Sequence, residues 1–180
     1  MTSSILRSLL IPRSKTKKKM NTLLLIITTV FTGLMAGLFY AWSISVTPGI
    51  GQVNNENYLQ AFKAMNRAIL NPAFFIAFMG LLVLFPILLY VLYRSSSAAF
   101  APILIATLLY VFGVMMVTIV GNVPLNNALE ALNIEAMSTM EMEQFRLGFE
   151  GRWNRYNWIR TICSLLSLIF LVISCIRFSN

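Results

Sequence analysis

The sequence predicts an all-α protein, a transmembrane four-helix bundle with short amphipathic helices in the two outer loops. Three observations predict it. Four apolar runs are each long enough to cross a bilayer, for which about 20 residues suffice. Of the 180 residues 58% are apolar and 11% charged, with a mean hydropathy of +0.75, too little polar surface to cover a soluble globule of this size. The six carboxylates, all Glu, lie outside these runs.

Residues 1–20 are polar and basic and are expected to form a cytoplasmic tail without a fold; Met20 offers an alternative start. The single membrane domain then occupies 21–180. Its first span, about 21–46, is too long for the roughly 7–15-residue apolar region of a signal peptide and reads as a signal anchor. Gly33 and Gly37 make a small-xxx-small pair on it, and Ala36, Tyr40, Ser43 and Thr47 continue that face, a pattern suited to close helix contact. Pro48, Gly49 and Gly51 end the span. Asn54 or Asn55 can cap an amphipathic helix carrying Leu59, Phe62, Met65 and Ile69 on one face, with Lys63 and Arg67 on the other.

Asn71 followed by Pro72 opens the second span, about 72–93, because the asparagine caps free amides and proline occupies the first helical position. Pro86 inside it predicts a kink. Arg94 and Ser95 to Ser97 form a short loop before the third span, about 98–120. Tyr110, Val114, Thr118 and Gly121 share one of its faces. In GNVPLNNAL, Gly121 to Leu129, Asn122 is expected to cap a new helix and Pro124 to sit in its first turn. Ser138 and Glu141 have capping-box spacing, and the helix they open is expected to run on into the fourth span, about 153–176.

Along that last helix Trp153, Asn157, Arg160 or Thr161, Ser164 and Ser167 recur every three to four residues, a polar stripe that must face inward. Arg160 is carried to the edge of the bilayer, where a guanidinium is turned to a partner, a wet cavity or a ligand.

Charge and composition exclude several functions. Of the 14 Lys and Arg, six precede the first span, where they read as topology and contact with anionic lipid rather than as nucleic-acid binding. There is no His and no Asp, which removes histidine-ligated metals, Ser-His-Asp triads and imidazole catalysis. Cys163 and Cys175 lie twelve residues apart on one helix, roughly 18 Å, beyond disulfide reach. No metal or cofactor is called for. Eight basic residues on one side against five on the other place both termini in the cytoplasm, so the two long polar connections, about 47–71 and 121–155, emerge together. Tyr40, Trp42, Asn66, Asn71, Asn122, Asn126, Asn127, Trp153, Asn157 and Arg160 then gather at one mouth of the bundle, where a pocket is the natural inference.

GLFYAWS at 37–43, Pro48, the stretch from Met65-Asn66 to Asn71-Pro72-Ala73-Phe74-Phe75, GNVPLNNAL at 121–129 and RWNRYNWIR at 152–160 together resemble the anthrone oxygenase-like family of small four-span membrane proteins. The resemblance covers the chain from about Met20 onward. It implies an integral protein of a bacterial plasma (inner) membrane and, from the named members, cofactor-free oxidation of a polyketide anthrone to the anthraquinone by O2. Carried over residue by residue, it picks out Trp42, Asn66, Asn122, Pro124, Asn126, Trp153, Asn157 and Arg160. The chain departs from the pattern at Trp158, where relatives carry histidine.

If that activity carries over, Arg160 and Asn157 are the candidate catalytic residues, with Tyr40, Trp42, Asn66, Asn122, Asn126 and Trp153 binding an apolar, aromatic or quinone-like ligand. Arg160 with Asn122, Asn126 or Asn157 would hold an enolate oxygen. Glu150 and Tyr40 remain alternative bases. Three other readings stand beside this one, the first being that the pocket binds an apolar molecule without chemistry. In the other two, the polar residues tie the connections to the bundle, or the chain is a non-catalytic subunit that meets a copy of itself or another membrane protein through the Gly33/Gly37 face.

Overall fold

The computed structural model describes residues 2–95 and 97–179, and four of its helices are long and apolar enough to cross a membrane: Lys17–Ile50, Pro72–Arg94, Phe100–Glu130 and Thr139–Phe178. They are called the first to fourth spans below. The helix of the first span begins at Thr2, so the basic stretch ahead of the span continues its helix. Once an apolar helix has nucleated, each added residue costs only propagation, and Leu, Lys and Arg propagate well.

Two spans contain wide, π-helical turns, and each ends at a proline. In the first, Trp42–Val46 is π-helical and Thr47–Ile50, with Pro48, returns to α. In the third, Leu109–Met116 and Thr118–Asn122 are π-helical and Val123–Glu130, with Pro124, returns to α. A proline lacks the N–H for the usual bond and its ring collides with the carbonyl four residues back; a wide turn moves that carbonyl aside and lets it pair elsewhere. This is why Asn122 opens no new helix. It sits inside a continuous one, with helical backbone and no capping bond. Pro86, the expected kink, lies within an uninterrupted α-helix, Pro72–Arg94.

The local starts form as their residue types dictate. Asn54 Oδ1 accepts from Asn57 N at 2.8 Å and caps the connecting helix Asn55–Ile69, and Asn71 Oδ1 accepts from Phe74 N at 3.1 Å. Ser138 and Glu141 close a reciprocal capping box, from which the fourth helix runs unbroken over Thr139–Ser179. The second long connection is thus built mostly from extensions of the third and fourth spans, with a 3₁₀ turn at Ile134–Ala136 between them.

The fourth span packs on the first and third, the first also on the second, and the second on the opening α-helical part of the third. Hydrogen bonds to backbone join the third and fourth spans, from Ser167 Oγ to Ala106 O at 2.9 Å and from Ser174 Oγ to Ala99 O at 2.7 Å. So does steric fit. A Cβ on Gly113 would overlap Cys163, and one on Gly121 would lie 2.7 Å from the Tyr156 ring. These are the close-approach glycines. Gly33, by contrast, only touches Leu168 and Gly37 meets nothing within 4 Å, so of the first span's small-residue face Gly37 makes no contact inside the chain, whereas Ala36, Ser43 and Thr47 are buried. A second apolar cluster, with Tyr58, Leu59, Phe62, Leu129 and Phe149 buried, ties the connecting helix to the fourth span at the end bearing the long connections.

Candidate functional site

The inward stripe of the fourth span is buried throughout: Trp153, Asn157, Arg160, Thr161, Ser164 and Ser167 are each 7% exposed or less. Arg160 stands seventeen residues before Arg177, about 26 Å of helix, so with Arg177 at one edge of a hydrocarbon core about 30 Å thick it lies just inside the other.

Its guanidinium has neutral neighbours only. Nη2 donates to Asn157 Oδ1 at 2.7 Å, Nη1 donates weakly to Thr118 Oγ1 at 3.5 Å, and Nε has no partner. The cation lies over the Phe39 ring at 4.6 Å and beside Trp153 at 5.4 Å. The two salt bridges among the described residues, Arg67–Glu130 and Arg146–Glu150, are elsewhere. Asn157 spends both amide hydrogens on the first span, donating to Ser43 Oγ at 2.8 Å and Phe39 O at 3.2 Å. It therefore positions Arg160 and has no donor left for a ligand.

Arg160 faces a cavity of about 180 Å³ at the connection-bearing end of the bundle. Six of the residues named from the sequence line it: Trp42, Asn66, Asn126, Trp153, Asn157 and Arg160. The rest of the wall is apolar, with Phe39, Phe74, Phe78 and Met115 prominent. Above it Trp42, Phe62 and Trp153 pack ring on ring, their centroids 4.8 to 5.5 Å apart, and form a roof. Trp153 Nε1 donates to Asn126 Oδ1 at 2.8 Å, fixing the roof to the third span. Asn66 Nδ2 is buried on the wall with no partner.

Four of the ten residues gathered at the mouth from the sequence are not on the wall: Asn71, which caps the second span, Asn127, which lines the neighbouring groove, and Tyr40 and Asn122. Tyr40 is 45% exposed on the outer face of the first span, because Phe39, one residue and about 100° away, takes the inward position. Asn122 is buried behind the cavity, donating to Trp153 O at a long 3.4 Å, with its Oδ1 unpartnered. Neither candidate base reaches the cavity either, since Glu150 is paired with Arg146 and Tyr40 points away. Trp158, where the resemblance leads one to expect histidine, is 45% exposed and does not line the cavity. Phe39 and Thr118 were missed as site residues; each shares a helical face with a polar or aromatic residue already singled out, Phe39 with Ser43 and Thr118 with Tyr110, and that spacing was the available signal.

Fold and site define a class: a four-span helical membrane protein with a small aromatic-walled cavity that meets one buried, carboxylate-free guanidinium. The family model described as anthrone oxygenase matches residues 73–170, more than half of the chain, and the protein belongs to that family. The matched region holds Asn122, Asn126, Trp153, Asn157 and Arg160, while Trp42 and Asn66 lie before it. No curated protein and no solved structure matches the chain.

Proposed function

We propose that the cavity binds a compact apolar molecule of aromatic, polyketide or quinone type, with an oxygen directed at Arg160, and that the protein acts as a cofactor-free oxygenase on an anthrone-like carbon acid. The observation that carries this is the state of Arg160. A buried cation without a counter-charge costs several kcal/mol, and a ligand oxyanion is the partner that recovers it. The volume of about 180 Å³ is below the 300–1,000 Å³ typical of pockets for drug-sized ligands, which favours a flat, compact ring system.

An anthrone loses a proton from its ring methylene to give a resonance-stabilised enolate. The enolate passes electrons to O2 and forms a carbon–oxygen bond; loss of the second methylene proton with cleavage of the O–O bond leaves the quinone carbonyl and water. Arg160 would stabilise the enolate oxygen, a role worth about 3–4 kcal/mol for one well-placed donor. No Asp, Glu, His, Lys, Tyr or Cys lines the cavity, so the protons would pass to a single water held beside the ligand rather than to a side chain or to bulk water. Trp42 and Trp153 would clamp the ring faces, and Asn66 would offer its unpaired amide. Termini in the cytoplasm, supported by the excess of basic residues at the tail end, and a bacterial inner membrane, which the family resemblance implies, complete the reading.

The test is aerobic conversion of emodin anthrone to emodin by the protein in lipid nanodiscs. Wild type is expected to exceed the protein-free rate, and Arg160→Ala to lose it by a factor of about 10²–10³. Equal rates would reject the catalytic assignment. The open face around Gly37 supports a second reading, a membrane subunit that binds another helix there; co-purification of a stoichiometric second polypeptide in mild detergent, lost in Gly37→Leu, would favour it.

A further inference from the structure

The cavity has a side as well as a roof. Leu70, Phe75 and Met79 on the second span and the turn before it, and Ile119 and Val123 on the third, all line the cavity, yet each is 40 to 64% exposed on the outer surface. A residue that belongs to both surfaces marks an opening, and these five flank the seam between the second and third spans.

That seam is closed lower down. Tyr110 Oη donates to Phe78 O at 3.0 Å, and the Tyr110 ring packs on Phe85 at 5.5 Å. Beyond Phe78 toward the connections, no hydrogen bond or ring contact joins the second and third spans among the described residues. The wide turns of the third span begin at Leu109, one residue before Tyr110, the last of its residues to bond or stack on the second span. Phe75 lies nineteen residues before Arg94, about 28 Å of helix, so the slit opens into the outer part of the hydrocarbon layer. The roof, by contrast, is packed shut, with Phe62 fully buried. The neighbouring groove at the connection end is spanned by the Arg67–Glu130 ion pair at 2.6 Å.

We infer that the ligand is a bilayer-dissolved amphiphile that enters sideways through the slit between Met79 and Ile119, oxygen end first toward Arg160. The inference rests on the ligand reading of the cavity given above. Every exposed side chain on the slit is apolar, so an apolar ring leaves lipid without meeting water, whereas the connection-end route would bring it past an ion pair and three asparagines, Asn66, Asn126 and Asn127. It also explains how a cavity near the membrane edge can keep a bare guanidinium out of bulk water.

Two measurements test it, in a Trp158→Phe background that leaves Trp42 and Trp153 as reporters. First, without ligand, phosphatidylcholine brominated near the top of its acyl chains should quench their emission. Bridging Met79→Cys to Ile119→Cys with a cleavable bifunctional thiol reagent should cut that quenching at least twofold; Cys163 and Cys175 are off the cavity wall, and treated protein without the introduced pair is the control. Second, with emodin as probe, the same bridge should slow binding at least tenfold, cleavage of the bridge should restore it, and a bridge between Arg67→Cys and Glu130→Cys should leave it unchanged. Slowing by the second bridge alone, or lipid quenching indifferent to the first, overturns lateral entry. Emodin binding to no variant while lipid quenching still answers to the bridge would reject the ligand reading and leave the slit established.

Discussion

Arg160 Nη2 donates to Asn157 Oδ1 at 2.7 Å, one turn back along the same helix, and through that pair three spans are joined, because Asn157 reaches the first and Arg160 the third. The two partners should nevertheless behave oppositely when removed. Arg160→Met keeps the volume, deletes a charge that no carboxylate compensates, and should leave stability unchanged or raise it by about 1–4 kcal/mol while abolishing emodin binding. Asn157→Leu strands the guanidinium and breaks two bonds to the first span, at a cost of about 3–5 kcal/mol. Thermal unfolding in detergent reads both; an Arg160→Met variant clearly less stable than wild type would mean that the arginine holds the bundle.

Much of this was legible from residues alone, for local reasons. Asn54, Asn71 and the Ser138/Glu141 pair signalled helix starts because a cap is decided by side chains within three residues of one another. The inward stripe from Trp153 to Ser167 was readable because a polar residue in a span has only one tolerable direction. What failed was direction where either choice is tolerable. Tyr40 is as stable against lipid headgroups as in a core, so spacing could not separate it from Phe39. Asn122 failed for another reason: turn rules for soluble chains read Gly-Asn-Val-Pro as a break, whereas in a bilayer the unpaired backbone of a break is costlier than a wide turn. The pairing of Gly113 with Cys163 and Gly121 with Tyr156 was invisible because small residues do not announce which helix they face.

That pairing makes a prediction. Gly113→Ala and Gly121→Ala should each cost about 1–3 kcal/mol through overpacking, since the obstacles are a side chain's own root, the Cys163 Cβ, and a rigid ring, that of Tyr156. Gly37→Ala, with open space around it, should gain about 0.5–1 kcal/mol from helix propensity. Unfolding curves of the three variants decide it. A Gly37→Ala variant that loses a co-purifying partner without losing stability would move weight to the subunit reading.

Arg146 and Arg67 both pair with glutamate, yet only one should matter to the fold. Arg146 bridges Glu150, Asn55 and the carbonyls of Gly51 and Val53, and covers the Tyr58 ring at 4.2 Å. Arg146→Ala should cost about 2–4 kcal/mol and open the 51–55 turn to protease. Arg67 and Glu130 are mostly solvent-exposed, and exposed pairs contribute little, so Arg67→Ala should change neither stability nor cleavage. Equal sensitivity of the two would show that the turn is not held by Arg146.

Tyr58 is fully buried and its hydroxyl has no partner in the protein. Burial, helped by the Glu150 carboxylate and opposed by Arg146, pushes its ionisation well above the ordinary tyrosine value of 10.0. Tyr58→Phe should therefore stabilise, by about 1 kcal/mol or more at pH 8, because an unsatisfied buried hydroxyl is removed while the ring under Arg146 stays. The sign with pH follows from proton counts. Above pH 10 the unfolded chain gives up this proton and the folded chain keeps it, so the unfolded state binds fewer protons and wild-type stability falls as pH rises. The contribution is fully present below pH 10 and fades above it, and the phenylalanine variant lacks the fade. Denaturation of the two proteins at pH 8 and pH 10.5 should thus show a gap in favour of Tyr58→Phe that widens at the higher pH; a variant weaker than wild type at pH 8 would mean that the hydroxyl is bonded after all.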